Sequence, residues 1–537
     1  MLRYAFRLHR WGIIGYGLVA LIDAYVNTTA FQQVAGSTPA ERAAFARSMS
    51  ALATQISYIL GPPFHLDTID GYAQWRAFGP LALVVLIWAI AAAAGAVRGD
   101  EERQLVDYWL TAGIARARLV ASRLAAFGLA ALVVAAACWL GYVLGALPYE
   151  TPDLGGAAGK ALALWLLMLS LFAVCYLVAQ LVSTTRAAQT VGAVVVVVLY
   201  LFDVAARSNH SLDWLSWVSP FKWYDATDSL APGGHLDVAG LALSVGLVIV
   251  TGVLAALAFA RRDVRAGLLQ RRAREERVRH VAPSPLLAWP VARLLYRQRW
   301  VLVGWMAVTI VFAAYFAGSA HAIVDSVSGV PGLRDLLGRG AGGDPYRAFI
   351  AAYWFGFVQL LLAGFAIHLV AGWASDDTEG ILTSVLSMPV PRWEVVAERA
   401  GAALVGVALV VAVGSLATAA AAAAIGVSLD AETLFRASWP LIPYALTYAA
   451  VGGVFASYFP RAAIGVLGVV AFLGYLDYEL VPLLKLPQWV SYFSAQFLYG
   501  TPSLTEVYWT GLWVMVAIVV AGFGAATLLM QRREVGV

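Results

Sequence analysis

Charge is what this chain has least of. Only 13% of its 537 residues are charged, against about 25% in soluble domains, while 61% are hydrophobic and the mean hydropathy is +0.76. That balance excludes an ordinary soluble domain and implies an integral membrane protein. Lysine is nearly absent, occurring only at Lys160, Lys222 and Lys485, so the basic residues are almost all arginine. With the richness in alanine and valine, this reads as the codon usage of a GC-rich bacterial genome. The net charge of +4 fits membrane topology better than a nucleic-acid surface, and no nucleic-acid partner is expected. Two cysteines are present, Cys138 and Cys175, both inside apolar runs, where they read as small buried hydrophobes rather than a disulfide or metal pair.

Signatures of chemistry are missing as well. No G-x-x-x-x-G-K-[ST] occurs; Gly155-Gly156-Ala157-Ala158-Gly159-Lys160 approximates it but lacks the spacing and the hydroxyl. The chain therefore does not bind ATP through a P-loop of its own. There is no H-E-x-x-H, no nucleophile elbow and no Cys/His cluster, so neither a catalytic set nor a metal site is predicted.

What the chain does have is a polar passage that occurs twice. One copy runs from Asp100 through Glu101, Glu102, Leu110 and Arg116 to Arg123, the other from Asp376 through Asp377, Glu379, Leu386 and Arg392 to Arg399. The leucine and both arginines fall in register between copies. Each copy lies between long apolar runs, and a charged insertion there belongs in water at a membrane face. Other pairs repeat around it in the same order. Arg10-Trp11 with Gly15-Tyr16 matches Arg299-Trp300 with Gly304-Trp305, which also argues against reading the N-terminus as a signal peptide. Arg186 with two alanines matches Arg461, Trp214 matches Trp489, and Arg261-Arg262-Asp263-Val264 matches Arg532-Arg533-Glu534-Val535. The chain is two similar halves.

A span needs about 20 apolar residues. The runs predict spans at about 11–29, 77–97, 120–146, 160–182, 190–206 and 238–260, then about 301–319, 348–372, 399–426, 437–458, 462–478 and 509–530. The fold class expected is an all-α integral membrane protein of twelve transmembrane helices, two parallel six-helix repeats, with surface helices and a short amphipathic helix in each charged loop on the cytoplasmic side. The domains are 1–260, the first half; 261–298, a basic linker and surface helix; and 299–537, the second half. Arginine heavily outnumbers the acids in the linker, which places it, both charged loops and both termini in the cytoplasm. Contact of these arginines with anionic lipid is expected. Residues 1–10 suit a surface helix, and Thr38-Pro39 followed by Glu41 reads as a capping-box start. Trp214, Trp217, Phe221, Trp223 and Tyr224 suit short helices at the outer interface.

Ionisable residues within spans are few. Asp23, Asp203 and Asp477 read as solvated span ends. His368 lies deeper, either hydrogen-bonded in the packing or near substrate. Gly401, Gly406 and Gly414 with the run Ala419 to Ala424 read as a helix-packing face. Tyr16, Trp88, Tyr200, Phe202, Trp305, Phe355, Phe357, Phe365, Phe472 and Tyr475, with His368, are candidates for the wall of an apolar cavity.

The ordered double set resembles the permease family of type-2 ABC exporters. Within it the pattern is similar to the long fused form of actinobacteria that exports tetronasin-like polyketide antibiotics. The resemblance implies a permease that is not itself an enzyme, in a bacterial cell membrane, moving hydrophobic drugs or polyketide antibiotics outward. ATP and Mg would sit on a separate ABC ATP-binding subunit, two copies per chain. It further implies that the loop after the second span of each half couples to that subunit, here through Glu101, Glu102, Arg116, Asp376, Asp377, Glu379 and Arg392. The copies differ: Arg103-Gln104 stands where the second has Glu379-Gly380, and Gly113 where it has Pro389, so the two docking surfaces are not expected to be equivalent. The competing class is a proton-coupled secondary multidrug transporter, which also uses parallel repeats but needs a buried acid or histidine near mid-membrane.

Overall fold

A computed structural model describes residues 2–47, 49, 63–208, 210–268, 288–321, 324, 344–378, 380–483 and 487–533. Glu379, Lys485 and most of the basic linker lie outside these residues, as does the end of the helix that opens at Thr38-Pro39. Every regular element among the described residues is helical. The chain divides into two compact units, Met1–Arg279 and His280–Val537.

The first unit holds α1 (Leu2–Leu8), α2 (Arg10–Ala35), α3 (Ile69–Glu102), α4 (Leu105–Thr111), α5 (Arg116–Ala146), α6 (Leu154–Leu181), α7 (Thr185–Ser208), α8 (Pro220–Asp225) and α9 (Val238–Arg261). The second holds α10 (Pro290–Arg297), α11 (Arg299–Gly318), α12 (Pro345–Asp377), α13 (Ile381–Leu386), α14 (Arg392–Ala424), α15 (Ala431–Tyr458), α16 (Pro460–Leu483), α17 (Ala495–Tyr499) and α18 (Trp509–Arg532). Eleven of these helices are long and apolar enough to cross a membrane. In α16, where the twelfth expected span lies, the apolar stretch among the described residues is Ala462–Tyr475.

Packing follows one scheme inside each unit. In the first, α2 lies along α5, and α6 packs against α3, α5, α7 and α9. In the second, α11 lies along α14, and α15 packs against α12, α14, α16 and α18. The apolar windows of α6 and α15 are the most buried of their units, at 72% and 67%. Small residues permit the closest approaches. A Cβ on Gly141 of α5 would lie 2.2 Å from the Leu21 carbonyl of α2, and one on Gly414 of α14 would lie 2.7 Å from the Thr309 methyl of α11.

Local chemistry behaves as the sequence predicts at several ends. Thr38 and Glu41 form the reciprocal capping box, with Glu41 N–H on Thr38 Oγ1 at 3.3 Å and Thr38 N–H on Glu41 Oε2 at 3.0 Å. Both cysteines are free and buried. Two features were not predicted. The polar start of each second span is already helical, and it carries a π-helical turn at the matching place, Gln74–Phe78 in α3 and Ile350–Trp354 in α12. Asp203 is also not a solvated span end: it is buried and paired with Arg207, which bridges to Asp225 of α8. Burial raises the Asp225 carboxyl above its ordinary range, and Arg207 opposes that rise.

Candidate functional site: two braced cytoplasmic loops

Each loop begins where a span ends. In the first unit α3 runs on through Asp100, Glu101 and Glu102, and the chain re-enters a helix at α4 by way of Gln104, whose φ is +61°. In the second, α13 is entered through Gly380, whose φ is +75°. A left-handed residue is required at this point to turn the chain from one helix axis to the next. Glycine meets the requirement without strain, and glutamine meets it at a cost.

Most of the acids that precede the turn are turned away from water: Asp100, Glu101 and Asp376 are buried. Asp100 and its partner Arg123 on α5 are both buried. Asp376 repeats this pair with Arg399 of α14 at 3.1 Å, and also accepts from Arg297 of α10 at 2.6 Å. Glu101 is buried between two guanidinium groups, Arg98 at 2.7 Å and Arg262 just beyond α9. It also accepts the Arg265 backbone N–H at 3.2 Å. Asp377 takes the matching place and pairs with Arg533, just beyond α18, at 2.8 Å. Glu102 is exposed and accepts the backbone N–H of Thr185, which opens α7, at 2.9 Å.

The two loop arginines are spent in the same way. The last carbonyls of a helix have no partner within it, and a cation suits that end of the dipole. Arg116 donates to the carbonyls of Phe259 and Arg262, closing α9. Arg392 donates to those of Met530, Gln531 and Arg533, closing α18, at 3.0 Å to Met530 and 3.1 Å to Gln531. Each therefore ties the start of the third span to the end of the last one in its unit.

This placement corrects one expectation. Glu101, Asp376, Arg116 and Arg392 do not present their charges outward as contact groups; their charged ends are bound inside their own unit. Of the expected residues Glu102 is exposed, and the exposed faces otherwise consist of Arg103, Gln104, Tyr108 and Thr111 on the first loop and Thr383, Ser384, Ser387, Met388 and Trp393 on and after the second. Sequence reasoning missed Arg98, Arg262, Gln180 and Arg533 as site residues. The matched Arg262 and Arg533 pairs were a visible signal, and so was Arg98 standing three residues before Glu101 on one helix face.

The aromatic candidates divide by burial. Trp88 is buried in a column of rings, stacked on Tyr16 with centroids 5.4 Å apart and packed on Phe127 at 4.8 Å. Phe355 and Phe365 are likewise buried in their bundle. These three pack the interior of a unit instead of lining open space, because large rings fill the gaps between helices. Tyr16, Tyr200, Phe202, Trp305, Phe357, Phe472 and Tyr475 are half-buried, and His368 is exposed with its ring edge toward Trp305 at 6.5 Å. A small cavity does open in the first unit, but at the loop: Glu101, Trp109, Arg123, Tyr176, Gln180, Phe259 and Arg262 line it. Among the described residues no cluster of His, Cys, Asp and Glu could hold a metal ion.

Two family models account for most of the chain. Residues 8–264 match a model described as ABC-2 family transporter protein, and residues 287–530 match one described as multidrug efflux system permease Rv1217c, C-terminal domain. The chain matches no curated protein.

Proposed function

We propose, on the premise that the chain belongs to the ABC-2 type exporter permeases, that it moves hydrophobic compounds of the drug or polyketide class out of a bacterial cell, driven by ATP hydrolysed on separate subunits. Two ATP-binding subunits, carrying the ATP and Mg, dock beneath the loops that hold α4 and α13. In this reading both termini and both loops lie in the cytoplasm, which the arginine-rich linker and span ends support. The chain carries no catalytic residue of its own. Substrate meets the half-buried aromatics Tyr16, Tyr200, Trp305, Phe357, Phe472 and Tyr475.

The observation that carries this reading is the double occurrence of one mechanical plan. A short helix stands at the end of the second span, an acid pairs with an arginine of the third span, and a second arginine closes the last helix. A push on α4 or α13 is thereby passed to three spans at once through charge-assisted hydrogen bonds. Glu101, Asp376, Asp377, Arg116 and Arg392 transmit the push, while Glu102 and the exposed loop faces make the contact. Two conformations that bind ATP with different affinity then supply the free energy for transport.

The test is ATP-driven uptake of a hydrophobic dye into inside-out vesicles holding the permease and an ABC ATP-binding subunit. Tyr108→Asp and Met388→Asp, both on exposed faces, are expected to lower ATP-driven transport by about tenfold or more while the purified permease unfolds as the parent does. Transport that persists without an ATP-binding subunit and follows an imposed proton gradient would overturn the reading.

A further inference from the structure

We propose that the two cytoplasmic loops are mechanically unequal: Arg98 bolts the first loop to the ends of α6 and α9, whereas the second loop has an alanine, Ala374, at that position and yields more readily. The loops' role in docking rests on the exporter reading; their unequal mobility does not.

The argument begins with one fully buried guanidinium. Arg98 sits on the last turns of α3, where the backbone adopts a π-helical turn over Gly95–Gly99. Its Nε donates to the Ala179 carbonyl at 2.8 Å and its Nη2 to the Gln180 carbonyl at 3.1 Å, both at the end of α6. Both terminal nitrogens reach the Ala266 carbonyl beyond α9 at 3.3 Å, and Nη1 also binds Glu101. One side chain thus joins the loop acid to two other segments of the unit. Arginine alone suits this role, since its planar fork offers five donors in fixed directions.

The neighbours complete the bolt. Arg262 holds the other oxygen of Glu101 and donates from Nε to Gln180 Oε1 at 2.8 Å. Arg265, at a φ of +68°, turns its N–H toward the same carboxylate and pairs its side chain with Asp107 of α4 at 2.8 Å. A non-glycine residue held at positive φ persists only where its surroundings impose it. Gln104 and Arg265, two of the three such residues described, belong to this one site.

In the second unit the position of Arg98 is held by Ala374, which is buried and carries no donor. Asp377 is a shorter acid than Glu101, and its described partner is Arg533 alone. Arg533 does reach the Ser457 carbonyl at the end of α15, but at 3.4 Å. The loop's other acid, Asp376, pairs with Arg399 of α14, as Asp100 does with Arg123, and also with Arg297 of α10, the surface helix that leads into α11. Both loops are thus tied to the third span of their unit, and among the described residues only the first has a fully buried guanidinium that joins its acid to the end of a central helix, α6.

Hydrogen exchange of the purified permease alone, read by mass spectrometry, tests this without any ATP-binding subunit. Expected is a protection factor for the α13 amides at least about tenfold below that for the α4 amides. Arg98→Met, which keeps the length and apolar stem, is expected to bring α4 down to the level of α13 and to leave α13 unchanged. Equal protection in the parent chain would overturn the proposal, and so would an Arg98→Met chain whose α4 exchanges as before or whose two loops loosen together. If that variant does not fold, the parent comparison decides. Failure of an ATPase to bind would sink the docking reading and leave this result standing.

Discussion

Glu101 and Asp377 hold the same place in the two units, and their surroundings differ. Glu101 is enclosed by Arg98, Arg262 and a backbone N–H, with the Arg98 and Arg262 side chains 1% and 2% exposed. Asp377 meets one arginine whose side chain is 17% exposed. The lesson is that one charge pattern can build either a rigid joint or a yielding one. Which of them forms depends on how many donors converge and how completely water is excluded.

The strongest way to break this comparison is to remove the acids. Glu101→Leu strands two buried guanidinium groups and is expected to cost about 3–5 kcal/mol of stability. Asp377→Leu leaves Arg533 able to reach water and should cost about 1–2 kcal/mol. The thermal midpoint of the purified permease in detergent measures both, and equal losses would refute the difference drawn between the loops. Next in size, Arg116→Ala and Arg392→Ala each strip the cap from a last helix, at about 1–3 kcal/mol apiece. Here the two units should agree, and a one-sided effect would show that the shared plan is not shared in energy.

A smaller contrast lies at the turns. Gly380→Gln is expected to cost about 1 kcal/mol, since a side chain at positive φ is strained, whereas Gln104→Gly should stabilise by about 0.5 kcal/mol. Opposite signs from reciprocal substitutions would be hard to produce any other way. The least effect on folding is expected from Tyr108→Ala, which is fully on the surface and should stay within about 0.5 kcal/mol. Any role for it must show in ATP-driven transport.

Much of the site was legible as a location. The doubled register of Asp100, Arg116 and Arg123 with Asp376, Arg392 and Arg399 marked both loops. The pairing of Arg262 with Arg533 marked the far ends that those loops touch. What was not legible was direction. A run of acids and arginines between apolar spans looks like a solvated contact surface, and only the fold reveals that most of those charges are satisfied internally. The aromatic candidates failed in the same way at Trp88, Phe355 and Phe365: composition identifies a ring within a span but not whether it meets a neighbouring helix or open space.

The class of the molecule, the two similar halves and the position of the loops were readable along the linear chain. These follow from hydropathy and local pattern, which need no knowledge of distant contacts. Tertiary structure alone decided that Glu101 is a buried joint, because its partner Arg262 stands 161 residues away and is brought to it by the packing of α3, α6 and α9. It also decided that Arg116 and Arg392 cap helices 143 and 138 residues further along the chain. Burial and convergence are properties of the assembled bundle, and a linear pattern of charges does not contain them.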